Sequence, residues 1–270
     1  MQTEELKNIC DEVIRISREV GRFIRHEQGR LGAQNIEQKG KNDFVTYVDK
    51  ASETLLVSEL SALLPDSGFI TEEQTVEQEA REYRWIIDPI DGTTNFIHGL
   101  PLYSISIALM KDEEIILGVV LEVSNDECFY AIKGGPAFLN GAQIQVSDRS
   151  TLADSLIVTG FPYRDEGRLE AWMNLFLYLI RNSHGVRRLG SAAIDLVYVA
   201  CGRFEAFYEY GLSAWDVAAG GFIVKQAGGF VSDFEGNQNW LFGKELIAGN
   251  GKMNEELRQI LLEKFAGLKA

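Results

Sequence analysis

Two aspartates, Asp88 and Asp91, end an apolar run in the segment Trp85-Ile-Ile-Asp-Pro-Ile-Asp-Gly-Thr-Thr-Asn-Phe96. The run predicts a short buried strand, and burying two carboxylates at its end costs free energy unless a cation pairs with them. Because the donors are hard oxygens, with no Cys or His among them, they suit Mg²⁺ better than Zn²⁺. Gly92 and two threonines follow where a helix can begin, and free backbone N–H groups at a helix start bind anions. The segment therefore predicts a metal site beside a phosphate site.

Two aspartates need further ligands to hold a divalent ion, and other acidic residues lie near predicted element ends. Glu72 and Glu73 follow an apolar run, Asp49 stands at the start of a predicted helix, and Asp216 begins a later one. Each position also has a simpler interpretation. Asp49 and Asp216 could be helix N-caps, and the two glutamates could be first-turn charges favoured by a helix dipole. The residues alone leave both interpretations open.

The composition bounds the function. The chain has 270 residues, 46% hydrophobic and 24% charged, with a formal net charge of −14. This charge argues against nucleic-acid binding through a phosphate-neutralising face. The polar helical start predicts no signal peptide, and no apolar run approaches membrane-spanning length. Three cysteines, widely spaced among apolar neighbours, predict core residues in a reducing compartment, hence a cytoplasmic protein.

Elements that could position these residues are visible in the first half. Apolar residues at helical spacing predict a long helix from Leu6 to Ile24 and a second one that stops at Pro65. Residues 37–42 are polar and contain glycine, which predicts a mobile loop. Residues 104–110 and 115–122 predict an antiparallel hairpin. Asn140-Gly141 predicts a two-residue turn between strands.

The second half alternates helices and strands. Helices are predicted at 167–182, 191–201, 216–227 and 253–266, and strands at 156–160, 204–209, 230–232 and 246–248. This order indicates a layered α+β or mixed α/β fold. A polar stretch near residue 150 divides the chain into an N-terminal half, 1–150, with most candidate metal ligands, and a C-terminal half, 151–270, that completes the site. The two halves are expected to form one compact unit.

Four segments, in the same order, resemble the inositol monophosphatase family, within the Mg²⁺-dependent, lithium-sensitive phosphatases. Asp88–Phe96 resembles the first family signature, and the residues between Trp215 and Gly229 resemble the second. Gly68–Glu73 resembles the glycine-to-double-acid segment, with Thr71 where many relatives carry Gly. Asp43–Asp49 resembles the segment that follows the mobile loop. The likeness covers nearly the whole chain and implies a five-layer α/β/α/β/α sandwich of the sugar-phosphatase type, usually a homodimer.

The resemblance also implies a ligand set for two or three Mg²⁺ ions. Asp88 would bridge two of them, and Glu73 would fix its neighbours by hydrogen bonding. The implied metal ligands are Glu72, Asp88, the backbone carbonyl of Ile90, Asp91 and Asp216. Catalysis would rest on Asp49, Thr93 and Glu72, which together orient and deprotonate the attacking water. The hydroxide would attack phosphorus in line, so no phosphoenzyme is needed.

Substrate contacts follow from the same resemblance. The backbone N–H groups of Gly92 and Thr93 would cradle the phosphate, and Asp216 would also face the substrate. Glu209 matches the acid that contacts sugar or inositol hydroxyls, and Ser191 is either such a contact or a plain N-cap.

Basic residues carry weaker signals. Arg187-Arg188 could bind a second phosphate or face a subunit interface. Lys39 and Lys41 lie on the predicted loop, but neither aligns unambiguously with the loop lysine of the family.

The implied reaction is Mg²⁺-dependent hydrolysis of a small phosphate monoester, with myo-inositol 1-phosphate as the first expectation. Fructose 1,6-bisphosphate, histidinol phosphate and 3′-phosphoadenosine nucleotides are alternatives. The residues Thr94-Asn95 disfavour the nucleotide branch, which usually carries Lys-Glu there, but do not separate the other two. A non-catalytic binding or regulatory protein on the same scaffold is the alternative from another class. The presence of every expected carboxylate argues against it.

Overall fold

The structure is a computed structural model that describes residues 2–30, 36–40, 43–163 and 166–266. Lys41 and the side chain of Lys39, the two lysines of the predicted loop, lie outside this description. The helices are α1 (Thr3–Gln28), α2 (Tyr47–Leu63), α3 (Thr93–Ile97), α4 (Leu169–Asn182), α5 (Ala192–Ala200), α6 (Ala214–Gln226) and α7 (Gly251–Lys264). The strands are β1 (Ile36–Gly40), β2 (Asp43–Thr46), β3 (Gly68–Thr71), β4 (Tyr83–Asp91), β5 (Ser104–Lys111), β6 (Glu114–Glu122), β7 (Glu127–Ile132), β8 (Ala137–Leu139), β9 (Ala142–Ile144), β10 (Leu156–Thr159), β11 (Gly185–Arg187), β12 (Ala206–Tyr210), β13 (Phe230–Ser232) and β14 (Glu245–Gly249).

A seven-stranded sheet has the order β3-β4-β5-β6-β7-β8-β9. Strands β3 and β4 run parallel, and the remaining neighbours are antiparallel. Side chains alternate between the faces, as strand geometry requires. On β5, Ile107 and Leu109 join the core formed with α1 and α2, whereas Ala108 and Met110 join the core formed with α5 and α6. Both faces of this sheet are therefore covered by helices.

A five-stranded sheet has the order β11-β10-β12-β14-β13. Its strand β12 also divides its side chains between two cores. Phe207 packs with α5 and α6, whereas Ala206 and Tyr208 pack with α4 and α7. The layers are thus α1/α2, the large sheet, α5/α6, the small sheet and α4/α7. This arrangement confirms the predicted five-layer α/β/α/β/α sandwich.

The sequence-based element boundaries are confirmed within a few residues for the long helices and for the hairpin of β5 and β6. The Asn140-Gly141 turn joins β8 and β9 as predicted. The loop predicted at 37–42 is wrong for its first part, because Ile36–Gly40 forms β1 and pairs antiparallel with β2. Its polar side chains hid the strand, since a strand in a two-stranded ribbon needs no apolar face. The division into halves at residue 150 stays a prediction.

Candidate active site

Strand β4 contains an irregularity that brings its two aspartates together. Asp88 lies opposite Ser106, and Asp91 lies opposite Ser104, so three steps along β4 match two along β5. In a regular strand, residues three apart point to opposite faces, and one extra residue removes this opposition. Pro89, which has no N–H to donate, is accommodated at such a bulge. Ligand oxygens of Asp88, Asp91 and Asp216 consequently lie within 4.8 Å of one another.

Helix α6 supplies Asp216 through its capping box. Ser213 is the N-cap residue, and its backbone N–H donates to Asp216 Oδ2 at 2.6 Å. The N-cap interpretation of Asp216 is therefore wrong in position, because this carboxylate stands three residues further along. It contributes to helix capping and to the acidic cluster at the same time.

Asp49 has the same double placement in α2. Thr46 is the N-cap, and its backbone N–H and hydroxyl donate to Asp49 Oδ2 at 2.8 and 2.6 Å. The Thr93 hydroxyl lies 3.0 Å from Asp49 Oδ1 and 3.0 Å from the carbonyl oxygen of Ile90. Burial raises the pKa of Asp49, while these hydrogen bonds oppose the rise. Asp49 thus connects α2 to the segment that follows β4.

The two predicted glutamates lie in a loop after β3, not in the first turn of a helix. A buried residue that the sequence analysis missed, Glu53 of α2, holds this loop. Its Oε2 accepts from the Glu73 backbone N–H at 2.7 Å, and its Oε1 accepts from the Thr75 backbone N–H and hydroxyl, both at 2.8 Å. The sequence contained a sign that Glu53 is buried, because its spacing places it on the same helix face as the buried residues Leu56 and Leu60.

Ser191 at the start of α5 fixes Asp91. Its hydroxyl donates to Asp91 Oδ2 at 2.6 Å and accepts from the Ile194 backbone N–H at 3.2 Å, so it is also the N-cap. The Ala193 backbone N–H donates to the same Asp91 oxygen at 2.7 Å. These contacts make Ser191 a positioning residue for Asp91, and a direct contact of Ser191 with substrate stays a prediction.

Burial and the repulsion between like charges both act on the acidic cluster. Burial raises the pKa of Asp88 well above its usual value, and the neighbouring Glu72, Asp91 and Asp216 raise it further. Burial also raises the pKa of Asp91, although its hydrogen bonds to Ser191 and to the start of α5 oppose the rise. Buried carboxylates that repel one another in this way fit a cation, since a positive ion would offset both their burial and their mutual repulsion.

A cavity of about 430 Å³ opens at the cluster. It is bounded by the acidic segment on one side and by α5, β12 and an aromatic rim on the other. The predicted site residues that line it are Glu72, Asp91, Gly92, Thr93, Ser191, Glu209 and Asp216. Arg188 also lines it and lies over the rings of Phe161 and Tyr163, with centroids at 5.2 and 5.7 Å. The chain thus places acids, a polar helix start and the Arg188 guanidinium around a single space.

The wall opposite the cluster carries two more carboxyl groups. Burial raises the pKa of Glu209 to about 8, and nearby Arg188 opposes the rise. Glu209 packs directly over Gly160, where a Cβ would lie 2.0 Å from Glu209 Oε1. Asp195 of α5 also lines the cavity and was missed by the sequence analysis. The sequence feature that could have marked Asp195 as a candidate is its position as the single carboxylate in the apolar run Ala-Ala-Ile-Asp-Leu-Val.

Comparisons with known proteins agree with this geometry. The model of the inositol monophosphatase family matches residues 5–266. An inositol-1-monophosphatase of Mesorhizobium japonicum is 41% identical over 90% of this chain and 91% of its own. The Nus factor SuhB of Pseudomonas aeruginosa is 41% identical over 88% of this chain and 90% of its own. The crystal structure of the extragenic suppressor protein suhB from Bartonella henselae has a TM-score of 0.87, at 37% identity over 93% of this chain and 97% of that one.

A five-layer sandwich with an acidic cluster at the end of β4 defines a phosphatase scaffold of the sugar-phosphatase type. The chain belongs to the inositol monophosphatase family. No helix in the described part of the chain is long and apolar enough to cross a membrane.

Proposed function

We propose that this chain is a Mg²⁺-dependent phosphomonoesterase that hydrolyses myo-inositol 1-phosphate, or a closely similar polyol phosphate, to the free polyol and phosphate. The supporting observation is the convergence of ligand oxygens of Asp88, Asp91 and Asp216 within 4.8 Å, where Asp91 and Asp216 line the cavity. Hard carboxylate oxygens are the donors that Mg²⁺ prefers. The alternatives among small phosphate esters differ only in the part of the substrate that faces the opposite wall.

The proposed metal ligands are the five groups implied by the family resemblance. They are Glu72, Asp88, the Ile90 carbonyl, Asp91 and Asp216. The chemistry that Mg²⁺ supplies at such a site is neutralisation of phosphoryl oxygens and a lower pKa for the attacking water. Glu53 supports this ligand set from behind by holding the loop of Glu72 and Glu73.

The chain's own contribution to proton transfer is a relay from Thr93 to Asp49. When the Thr93 hydroxyl donates to Asp49 at 3.0 Å, its oxygen lone pairs stay available to accept from a water. Asp49 can bind the proton because burial raises its pKa. Glu72, which lines the cavity, is the third group proposed to orient that water. Gly92 and Thr93 would present backbone N–H groups to the phosphate.

The test is phosphate release from a panel of esters with and without Mg²⁺. The panel contains inositol 1-phosphate, fructose 1,6-bisphosphate, histidinol phosphate, a 3′-phosphoadenosine nucleotide and an aryl phosphate. We expect activity only with Mg²⁺, inhibition by Li⁺, and the highest kcat/KM with inositol 1-phosphate. No release from any ester at any Mg²⁺ concentration would contradict an enzymatic function. A higher kcat/KM with another ester would assign a different branch of the family.

A second candidate is a regulatory function on the same scaffold. Its supporting observation is that relatives at 38–41% identity carry the name Nus factor SuhB. An inactive but well-folded protein in the ester panel would favour this candidate. The two functions are compatible, so activity would establish the enzyme without excluding a partner. The cytoplasmic location and the lack of nucleic-acid contacts stay predictions.

We also propose that the protein is a homodimer, with α4 at the interface. Four apolar side chains at helical spacing on this helix are between 41 and 47% exposed: Leu169, Met173, Leu177 and Ile180. An apolar stripe of this kind marks an interaction surface. Light scattering should give the mass of a dimer for the wild type and of a monomer for Leu177→Glu. A monomeric wild type would contradict the proposal.

A further inference from the structure

Asp195 is a buried carboxylate with an unsatisfied oxygen in the wall of the cavity. The residue is 1% exposed and lines the cavity, yet its Oδ1 has no hydrogen-bond partner. Leaving a buried polar atom unpaired costs free energy, so such an atom calls for an explanation. Its direct neighbours in α5, Ile194 and Leu196, are both fully buried apolar residues. Asp195 lies in the first turn of α5, where the helix dipole favours a negative charge, but this interaction leaves its Oδ1 without a hydrogen bond.

Other residues, and not the side chain of Asp195, make the hydrogen bonds at the start of α5. Ser191 caps α5 by accepting from the Ile194 backbone N–H at 3.2 Å. Asp91, not Asp195, accepts from the Ala193 backbone N–H at 2.7 Å. The charged groups that act on Asp195 are Glu209 and Asp91, which are of like sign, and Arg188. None of these contacts satisfies the carboxyl group of Asp195, which lies in the wall of the cavity.

We infer that Asp195 is a specificity-determining residue whose carboxyl group hydrogen-bonds a hydroxyl group of the substrate, beside the hydroxyl bound by Glu209. The inference rests on the proposed phosphatase function and narrows its substrate class to phosphate esters of polyols with neighbouring hydroxyl groups. Asp195 and Glu209 lie on the same wall, and each is close enough for the charge of Asp91 to act on it. The charge of Glu209 also acts on Asp195, so the two carboxyl groups are near enough to bind neighbouring hydroxyl groups of one substrate.

A neutral ligand suits this wall better than a cation. Burial raises the pKa of Asp195 well above its usual value and that of Glu209 to about 8. The doubly ionised pair is therefore disfavoured, and a protonated carboxyl can donate to one hydroxyl while accepting from another. Arg188 already supplies a positive charge near both groups. These features distinguish the wall from the acidic cluster around Asp88, which depends on a cation.

The test compares wild type, Asp195→Ala and Asp195→Asn on a polyol phosphate and on an aryl phosphate without hydroxyl groups. The polyol phosphate is inositol 1-phosphate or whichever polyol ester of the panel has the highest kcat/KM. We expect Asp195→Ala to lower the ratio of kcat/KM, polyol over aryl ester, by about 10- to 100-fold, the range for a hydrogen bond to a charged group. Asp195→Asn, which keeps a donor and an acceptor, should recover part of the ratio.

Deoxy analogues of the polyol phosphate make the test specific. In the wild type, removing the hydroxyl that Asp195 binds should lower kcat/KM by a similar factor, whereas Asp195→Ala should respond to that removal much less. Asp233→Ala is the matched control, because Asp233 is buried but accepts from the Asn237 backbone N–H and caps a turn instead. The control should leave the ratio unchanged.

The possible failures are distinguishable. An unchanged ratio in Asp195→Ala, or equal losses for both esters, would overturn the inference while leaving the phosphatase intact. If the wild type cleaves no ester, the proposed function fails. Calorimetric binding of the same polyol phosphate to wild type and Asp195→Ala then still decides whether Asp195 contacts it, since equal affinities would refute the contact.

Discussion

The two sides of the cavity are built in different ways. The acidic side comes largely from one stretch, the end of β4 and the start of α3, where Asp88, Asp91 and Thr93 lie within a few residues. The opposite side takes Ser191 and Asp195 from α5 and Glu209 from β12, and so it is assembled only when the chain has folded. On the first side, Asp49 and Asp91 each accept from at least two donors, whereas Asp195 on the second has an oxygen without a hydrogen-bond partner.

This difference indicates that the two sides of the cavity have different functions in substrate binding. Groups proposed to act on the phosphate are held by hydrogen bonds within the protein, as expected if every substrate carries the same phosphoryl group. Groups that face the remainder of the substrate keep unused hydrogen-bonding capacity, which a ligand can satisfy. Substitutions on the acidic side should therefore affect every ester equally, and those on the opposite side should change the preference among esters.

The largest effect is expected from Asp91→Asn, which removes a proposed metal-ligand charge. We expect the variant to fold and to lose about 10³-fold or more in kcat on both polyol and aryl esters, since the metal supplies several kcal/mol of transition-state stabilisation. Asp233→Asn, at a buried aspartate that caps a turn, is the control. Near-normal turnover, or a loss confined to one ester, would show that the acidic side is wrongly assigned.

Ser191→Ala tests which side Ser191 serves. The residue lies on α5, but its hydroxyl holds Asp91 at 2.6 Å, so it should behave as part of the acidic side. We expect about a 10- to 100-fold loss in Mg²⁺ affinity or activity on all esters, the usual cost of removing a supporting hydrogen bond, and a cap loss of about 1 kcal/mol in unfolding free energy. Ser155→Ala removes another buried hydroxyl, which donates to the Thr151 carbonyl, and should leave activity unchanged. A loss only on polyol esters would instead make Ser191 a substrate contact.

Glu53→Gln separates stability from metal binding. Glu53 accepts two backbone N–H groups of the loop that carries Glu72, and Glu122 accepts two backbone N–H groups of a distant turn at 2.9 and 2.7 Å. Both are fully buried, so Glu53→Gln and Glu122→Gln should each lower the unfolding free energy by about 1–3 kcal/mol. Only Glu53→Gln should also weaken Mg²⁺ binding, by about 10-fold in calorimetry. Equal Mg²⁺ affinities in the two variants would contradict a role for Glu53 in metal binding.

The smallest effect concerns Glu209 and appears in the pH dependence of stability. Its folded-state pKa of about 8 exceeds its unfolded value of about 4.5, so the native state holds the proton more tightly. Its contribution to the unfolding free energy is full below pH 4.5 and is lost as the pH rises towards 8. As the pH rises from 5 to 8, the unfolding free energy of Glu209→Gln should therefore increase by about 1–3 kcal/mol relative to that of the wild type. Urea titrations at constant Mg²⁺ measure this difference. If the unfolding free energies of wild type and Glu209→Gln changed with pH in parallel, the raised pKa of Glu209 would be contradicted. Glu235→Gln, at an exposed glutamate, is the control.

The grouping of acidic residues could be predicted from the sequence because much of its information is local, whereas the roles of these residues stay predictions. Asp88 and Asp91 stand in a short motif, and the family resemblance supplied Glu72, Asp49 and Asp216, which the structure places at the same cavity or in contact with Thr93. The sequence analysis missed Glu53 and Asp195, because a single acid on an apolar helix face carries no sign of its distant partners. Strand β1 was missed for a related reason, since its pairing with β2 depends on backbone hydrogen bonds and not on apolar side chains.

The bulge in β4 has a consequence for how the family can vary. Because the extra residue between Asp88 and Asp91 sets which face Asp91 points to, losing or gaining one residue there would turn the carboxylate into the opposite core. Point substitutions at Pro89 or Ile90 keep the count and hence the orientation. Alignments of active relatives should therefore tolerate exchanges within this stretch but no insertions or deletions. Length changes should instead accumulate in surface loops, such as the turn at Asn140-Gly141, where no functional group depends on the register.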